Sequence, residues 1–392
     1  MRVWVSALFS LACVAGAILL LREGCRSLPD SPPSSSFFDR FDRTTAYFAG
    51  SVLLALLSFG GGRILLALRL RLQTGTDDPK HERSPEHRRI VRPDGSEIHI
   101  EFWGPPDGPP VVLTHGWGGT STQWYYLRRR LADRYRLIAW DLPGMGLSSS
   151  PKNKDYSVGK FADDLRTVLD EAGGRPAILV GHSIGGMVTI EFCKRYPDDM
   201  ANRVAGSVLI GTSPTNPLRL TPSRRFAVPL QKPLLEPLAR ATIFFSPLVW
   251  FVHLLGYLNG SQHRSNHDEL FAGTESWGQL RFVTHFVPFV WPATYARGTL
   301  GMFRWDATDA LPGIAVPTLV VAFSGDQMIL PEAGETIRRG CPNARLVTLE
   351  PAGHMGLIER HEEFGEAVEV FLEECASSRS DESPTRRARA RK

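Results

Sequence analysis

Ile178-Leu179-Val180-Gly181-His182-Ser183-Ile184-Gly185-Gly186 is a short apolar run that breaks abruptly into a serine framed by glycines, G-x-S-x-G. A serine on a sharp strand-to-helix turn takes up a strained backbone, and glycine at 181 and 185 avoids collisions with the neighbouring strand and helix. The pattern is short and also occurs in ordinary Gly/Ser turns, so its context decides the reading. Ala177 to Val180 is apolar and strand-like. Met187, Ile190, Glu191, Cys193 and Lys194 continue a helix that stops near Pro197. Ser183 is thereby expected at the carboxyl edge of a sheet.

Working outward, the flanking sequence alternates strands with helices. Arg88 to Arg92, a turn at Pro93-Asp94-Gly95-Ser96 and the alternating Ile98, Ile100 and Phe102 predict an entry hairpin. Val111 to Thr114 reads as a buried strand ending in His115-Gly116-Trp117-Gly118-Gly119. Leu137 to Trp140 is a strand, Phe161, Leu165, Val168 and Leu169 mark one helix face, and Val204 to Ile210 is a strand after the serine turn. Residues 214–305, rich in Pro, Phe, Trp and Leu, break the rhythm and read as an inserted helical lid. The alternation resumes with strands at Thr318 to Ala322 and Arg345 to Leu349 around a helix at Glu332 to Arg339, and a closing helix spans Met355 to Glu374. The expected fold is α/β, with a mostly parallel sheet covered on both faces. The hydrolytic core would comprise 87–213 and 306–375, after a polar linker at 73–86 and before a disordered basic tail at 376–392.

A serine hydroxyl becomes a useful nucleophile when a histidine takes its proton and a carboxylate fixes the histidine tautomer. Asp326 follows the strand Thr318 to Ala322, and His354, in Pro351-Ala352-Gly353-His354, follows the last strand. Ser183, Asp326 and His354 thus stand in the order expected for a G-x-S-x-G hydrolase. Singly, Asp326 or His354 could merely cap a helix. Together, on three loops at one sheet edge, they read as a triad. The backbone N–H groups of Ile184 and Trp117 are the expected oxyanion donors. Asp141, His115 and His182 read as structural residues. The Gly-rich turn at 116–119 lacks the lysine of a phosphate-binding loop.

On Gly181-His182-Ser183-Ile184-Gly185-Gly186, His115-Gly116-Trp117-Gly118-Gly119, Asp141-Leu142-Pro143-Gly144-Met145-Gly146, Asp326 and Pro351-Ala352-Gly353-His354, the chain from His87 to Glu374 resembles the α/β-hydrolases of the lipase and esterase type. The resemblance implies a mostly parallel eight-stranded sheet, a lid inserted after the sixth strand and no cofactor. Haloalkane dehalogenases and epoxide hydrolases resemble this lid arrangement but place aspartate where Ser183 stands, which disfavours both activities.

The chain has 392 residues, 43% hydrophobic and 22% charged, with a net charge of +4 that owes much to the tail Arg386 to Lys392. No nucleic-acid surface is implied. Five scattered cysteines without C-x-x-C spacing argue against a disulfide framework or a zinc site. The amino terminus departs from a soluble pattern. Val3 to Leu21 is an uncharged apolar run of 19 residues, about 28 Å long as a helix and so about one hydrocarbon core. A signal peptide is the rival reading, but Ala15-Gly16-Ala17 lies inside the apolar run. A second run at 44–62 reads as a second span or as a buried amphipathic helix, and the interleaved arginines of 63–72 suit a headgroup interface. Residues 1–72 are therefore a membrane anchor. The intervening loop, Arg22 to Arg43, carries four Lys/Arg residues and the stretch Arg63 to Arg92 carries eight, which places the catalytic domain on the cytoplasmic side.

The function expected is a membrane-anchored serine hydrolase that cleaves a hydrophobic acyl or lipid ester. Phe244, Phe245, Leu248, Val249, Trp250, Phe251, Leu254 and Leu255 could line an acyl tunnel or form the lid core. A carbon–carbon bond hydrolase and a cofactor-free perhydrolase of the haloperoxidase type share the serine turn. A non-enzymatic receptor or scaffold on the same fold is the alternative from another class.

Overall fold

A computed structural model describes residues 2–28, 43–70 and 77–381. The expectations for residues 29–42, 71–76 and 382–392 lie outside the described residues. The chain opens with an antiparallel pair of apolar helices. α1 (Arg2–Arg26) packs along α2 (Arg43–Leu56), which passes through a π-helical segment (Leu57–Gly61) into α3 (Gly62–Leu70). Leu8–Arg26 and Arg43–Arg69 are each long and apolar enough to cross a membrane. Serine hydroxyls on the inner faces pair with carbonyls across the hairpin, Ser51 to Ala17 at 2.8 Å and Ser58 to Ser10 at 3.0 Å. Such bonds satisfy groups that have no water to turn to.

The core is an eight-stranded sheet in the order β1-β2-β4-β3-β5-β6-β7-β8. The strands are β1 (His87–Val91), β2 (Glu97–Trp103), β3 (Pro110–Thr114), β4 (Arg136–Trp140), β5 (Ala177–His182), β6 (Val204–Ile210), β7 (Thr318–Phe323) and β8 (Ala344–Leu349). β1–β2 and β2–β4 are antiparallel and the remaining pairs parallel. The fold is therefore the mostly parallel α/β sheet read from the sequence. Period-two alternation sends Val112, Ile138, Leu179, Leu209 and Val320 into the layer shared with α5 (Val158–Val168) and α6 (Ile184–Arg195). Val111, Leu113, Val180, Val208 and Leu319 enter the opposite layer, against α4 (Tyr125–Leu131) and the carboxyl-terminal helix. Because both faces are covered, β3, β4, β5 and β7 are buried along their whole length. α7 (Pro197–Arg203) leads into β6.

Between β6 and β7 the chain forms α8 (Arg224–Leu230), α9 (Glu236–Phe244), α10 (Ser246–Asn259), α11 (Ser261–Leu270), α12 (Trp277–His285) and α13 (Pro292–Phe303). α14 (Glu332–Gly340) separates β7 from β8. The closing helix is not continuous. It breaks at Arg360 into α15 (Gly356–Glu359) and α16 (His361–Asp381), and α16 carries helix into 376–381, part of the expected disordered tail.

The stretch read as a polar linker differs most from expectation. Residues 77–86 have no regular structure, yet they are fastened at almost every turn. The His81 ring stacks on Phe282 at 4.2 Å, Tyr126 donates to the Asp77 carbonyl at 2.6 Å, and Ser84 is buried beside β2. Arg83 reaches furthest, bonding Glu101 at 2.8 Å, Asp141 at 2.8 Å and the Ser121 hydroxyl at 2.7 Å. Both carboxylates are fully buried. A linker composition hid a strap because its contacts are polar and aperiodic. We expect Arg83→Met to lower stability by about 3 kcal/mol or more, since it strands two buried carboxylates. Chemical denaturation of the full chain in detergent micelles measures the loss, and a change below about 1 kcal/mol, the range of a surface pair, contradicts the role given to Arg83.

Candidate active site

The turn from β5 to α6 is built on contact between backbones. A Cβ on Gly181 would lie 2.4 Å from the Gly185 carbonyl oxygen, and one on Gly185 would lie 2.3 Å from the Thr114 carbonyl oxygen. Only glycine fits at either position. The crossing drives Ser183 to φ +53° and ψ −117°, a conformation costly for a residue with a side chain. Its N–H donates to the Ile210 carbonyl at 2.8 Å, and its carbonyl accepts from the Thr212 hydroxyl at 2.6 Å. The backbone is thus fixed on both sides while the Ser183 side chain stays partly exposed at the sheet's carboxyl edge.

Asp326 and His354 leave the same edge from β7 and β8. Asp326 is 1% exposed; its Oδ1 accepts the N–H groups of Met328 at 2.7 Å and Ile329 at 2.8 Å. Its Oδ2 accepts from His354 Nδ1 at 2.7 Å. The carboxylate therefore caps a local turn with one oxygen and orients the imidazole with the other. His354 caps no helix, since Met355 holds the position before α15. Among the described hydrogen bonds, none joins the Ser183 hydroxyl to His354.

What brings the histidine loop to the serine turn is a relay that begins at the glycine-rich loop. Gly116 N–H donates to Gln123 Oε1 at 3.2 Å, Gln123 Nε2 donates to His182 Nδ1 at 3.1 Å, and His182 Nε2 donates to the His354 carbonyl at 3.0 Å. Three loops are locked in register through one imidazole. His115 works similarly one strand away: Nδ1 donates to the Gly116 carbonyl at 2.8 Å and Nε2 accepts the Leu142 N–H at 3.0 Å. Asp141 accepts the Ser121 N–H at 2.6 Å and the Leu147 N–H at 2.8 Å, which makes it an organiser of the loops after β3 and β4.

Trp117 lies between the sheet edge and α13. Its indole donates to the Tyr295 carbonyl at 3.1 Å and occupies the space that a Cβ on Gly298 would need, 2.1 Å from Trp117 Cζ2. Among the described hydrogen bonds, none uses the N–H of Trp117 or of Ile184. Among the described residues, no group of three or more His, Cys, Asp or Glu side chains could hold a metal ion.

Two functional supports escaped the sequence reading. Gln123 sits in a short helical turn before α4 with no motif around it. Glu359 accepts the Gly353 N–H at 2.8 Å beside His354, together with the N–H groups of Ala272 at 2.9 Å and Thr274 at 3.0 Å. One carboxylate thus ties the histidine loop to the segment after α11. A glutamate five residues past the histidine was the available signal, but on a helix it looks like an exposed residue.

The model of the alpha/beta hydrolase family matches residues 111–367. The chain belongs to that family. It is similar to "Putative carbamate hydrolase RutD" of Stutzerimonas stutzeri, 25% identical over 283 residues, covering 71% of this chain and 98% of that protein. Among solved structures it is similar to a thermophilic esterase from Thermogutta terrifontis, 26% identical with a TM-score of 0.60 over 74% of this chain and 99% of that one. The enol-lactonase of Burkholderia xenovorans, at 21% identity and a TM-score of 0.56 over 73% of this chain and 99% of that one, shares the fold. As a member of this family with esterase and hydrolase relatives, the protein is a hydrolase.

Burial holds both His115 and His182 below the usual histidine range, so each is neutral in the folded protein. Unfolding returns them to about 6.5, and the unfolded chain then binds more protons than the native one in acid. Their stabilisation is present above pH 6.5 and is lost as the pH falls from 6.5 towards each folded-state pKa, with a slope of at most about 1.4 kcal/mol per pH unit for each histidine. Thermal unfolding of the full chain between pH 7.5 and 4.5 should show that loss, with a shallower slope for His182→Gln. Stability independent of pH in this range contradicts the assignment of neutral, load-sharing histidines.

Proposed function

We propose that the protein is a membrane-anchored serine hydrolase that cleaves hydrophobic carboxylic esters through an acyl-enzyme on Ser183. The observation that carries this reading is the 2.7 Å bond between His354 Nδ1 and Asp326 Oδ2 at the sheet edge that holds a strained, partly exposed Ser183. In this reading His354 Nε2 removes the hydroxyl proton as Ser183 Oγ attacks the ester carbonyl, and Asp326 holds the imidazole in the required tautomer. The tetrahedral oxyanion is met by the N–H groups of Trp117 and Ile184. His354 returns the proton to the departing alcohol. Water, activated by the same imidazole, then releases the acid.

The hydrophobic preference is supported by two helices apolar enough to hold the site at a bilayer. The aromatic stretch that could line an acyl tunnel or form the lid core supports it in a third way. Phe244, Phe245, Leu248 and Phe251 are 79%, 52%, 53% and 42% exposed, whereas Val249 and Leu255 are buried. On α10, Leu248 and Phe251 turn outward while the helix packs against α1, and Phe244 and Phe245 are exposed at the junction of α9 with α10.

The test uses the full chain in nanodiscs with p-nitrophenyl esters. Ser183→Ala, His354→Ala and Asp326→Asn should each lower kcat by about 10⁴-fold, the scale for loss of a triad member. kcat/KM should rise with acyl length from acetyl to octanoyl, by at most about fourfold per methylene, which corresponds to about 0.8 kcal/mol. Near-normal turnover in any variant contradicts the triad. A flat length profile, or turnover confined to a vinylogous diketone or to peroxide, replaces the ester reading with another chemistry of the same serine.

A further inference from the structure

The outward face of α9 and α10 is continuous with the membrane hairpin. Asn259, at the end of α10, is buried and donates to the Ser10 hydroxyl at 2.7 Å, two residues inside the apolar stretch Leu8–Arg26. Gly62 leaves room for this junction, since a Cβ there would lie 2.2 Å from the Asn259 carbonyl oxygen. Arg63 completes it by lying over the Tyr257 ring at 5.3 Å. α10 therefore runs beside α1 at the level where α1 is already apolar on its outer side, with Leu8 and Phe9 65% and 60% exposed.

From this junction the exposed residues Phe251, Leu248, Phe245 and Phe244 extend the apolar surface along α10 and onto α9. Residues 241–263 contain no Asp, Glu, Lys or Arg, while Arg224, Arg225, Lys232 and Arg240 stand just before them with a single carboxylate, the buried Glu236, which pairs with Arg240 at 3.0 Å. A protein partner selects through charges and hydrogen bonds as well as apolar area. A bilayer asks for an uncharged apolar face bordered by cations, which is what this element offers. Arg224–Phe244 and Ser246–Asn259 meet at 93°, so the pair does not make a straight crossing.

We propose that α9 and α10 insert into the bilayer that α1 to α3 cross, from the side that holds the folded domain, with Phe244, Phe245, Leu248 and Phe251 at the boundary between headgroups and acyl chains. The inference rests on the reading of α1 to α3 as a membrane anchor. The Ser246 hydroxyl accepts the Ala293 N–H at 2.9 Å, which joins this element to α13 and hence to the indole of Trp117 beside Ser183. An acyl ester in the outer part of that leaflet would then lie next to the roof of the candidate site.

The test places an environment-sensitive thiol-reactive fluorophore on Phe251→Cys, Leu248→Cys, Leu19→Cys or Val91→Cys, introduced one at a time into the full chain carrying Cys25→Ser, whose four remaining cysteines are buried, and reconstitutes each variant in phosphatidylcholine and phosphatidylglycerol vesicles. Labels at 248 and 251 should be quenched at least several-fold more by lipids bearing a nitroxide high on the acyl chain than by aqueous iodide. The label at 19 reports the anchor and should follow them, and the label at 91, on the exposed strand β1, should show the reverse. If 19 reads lipid while 248 and 251 behave as 91 does, the insertion is wrong and the anchor reading stands. If 19 also reads water, the anchor reading fails and the insertion falls with it.

Discussion

The site rests on a backbone collision that glycine alone avoids. A Cβ on Gly181 would strike the Gly185 carbonyl in α6, one on Gly185 would strike the Thr114 carbonyl at the end of β3, and the turn between them forces Ser183 to a positive φ. Strain of this kind, of order 1–3 kcal/mol, persists only where the surroundings over-determine the backbone. Here they do. β3 and β5 are buried throughout, and the Ser183 N–H and carbonyl are both bonded to the β6 edge, through Ile210 and Thr212. The same sheet edge receives the loops that carry Asp326 and His354, so the geometry of the candidate site follows from strand order.

A second dependency runs through His182. Its two ring nitrogens join Gln123 to the His354 backbone, and Gln123 in turn holds Gly116. This arrangement requires a neutral ring with one donor and one acceptor, and burial provides it. Asp141 and Arg83 give the neighbouring loops a comparable anchor, in which one guanidinium joins β2, the loop after β3 and the loop after β4. The strap that carries Arg83 also packs on α12 through His81, so residues before β1 belong to the folded body.

The sheet was legible because its signals are local: apolar runs of strand length, helical periodicity between them and glycines at the turns. Ser183, Asp326 and His354 were legible as positions because each follows a strand in that pattern. The supports were not. Arg83, Gln123 and Glu359 each make at least one contact across 18 to 87 residues of chain, and nothing next to them in sequence marks that partner. The direction of the lid aromatics was equally hidden. Period 3.6 says that α10 has faces, but which face is covered depends on α1, more than 200 residues earlier. The break at Arg360 in the closing helix has no proline or glycine at that residue to announce it.

The molecule joins a hairpin with the length and apolarity of a membrane anchor, helices after β6 that pack on it, and a sheet edge that carries Ser183, Asp326 and His354. In the proposed function Ser183 is activated by its surroundings. Treating the full chain in nanodiscs with a fluorophosphonate and mapping the adduct by peptide mass spectrometry tests that claim most directly. The account predicts one adduct, on the peptide containing Ser183, formed at a rate that collapses in His354→Ala. No adduct, or labelling at Ser183 that is indifferent to His354, would contradict it.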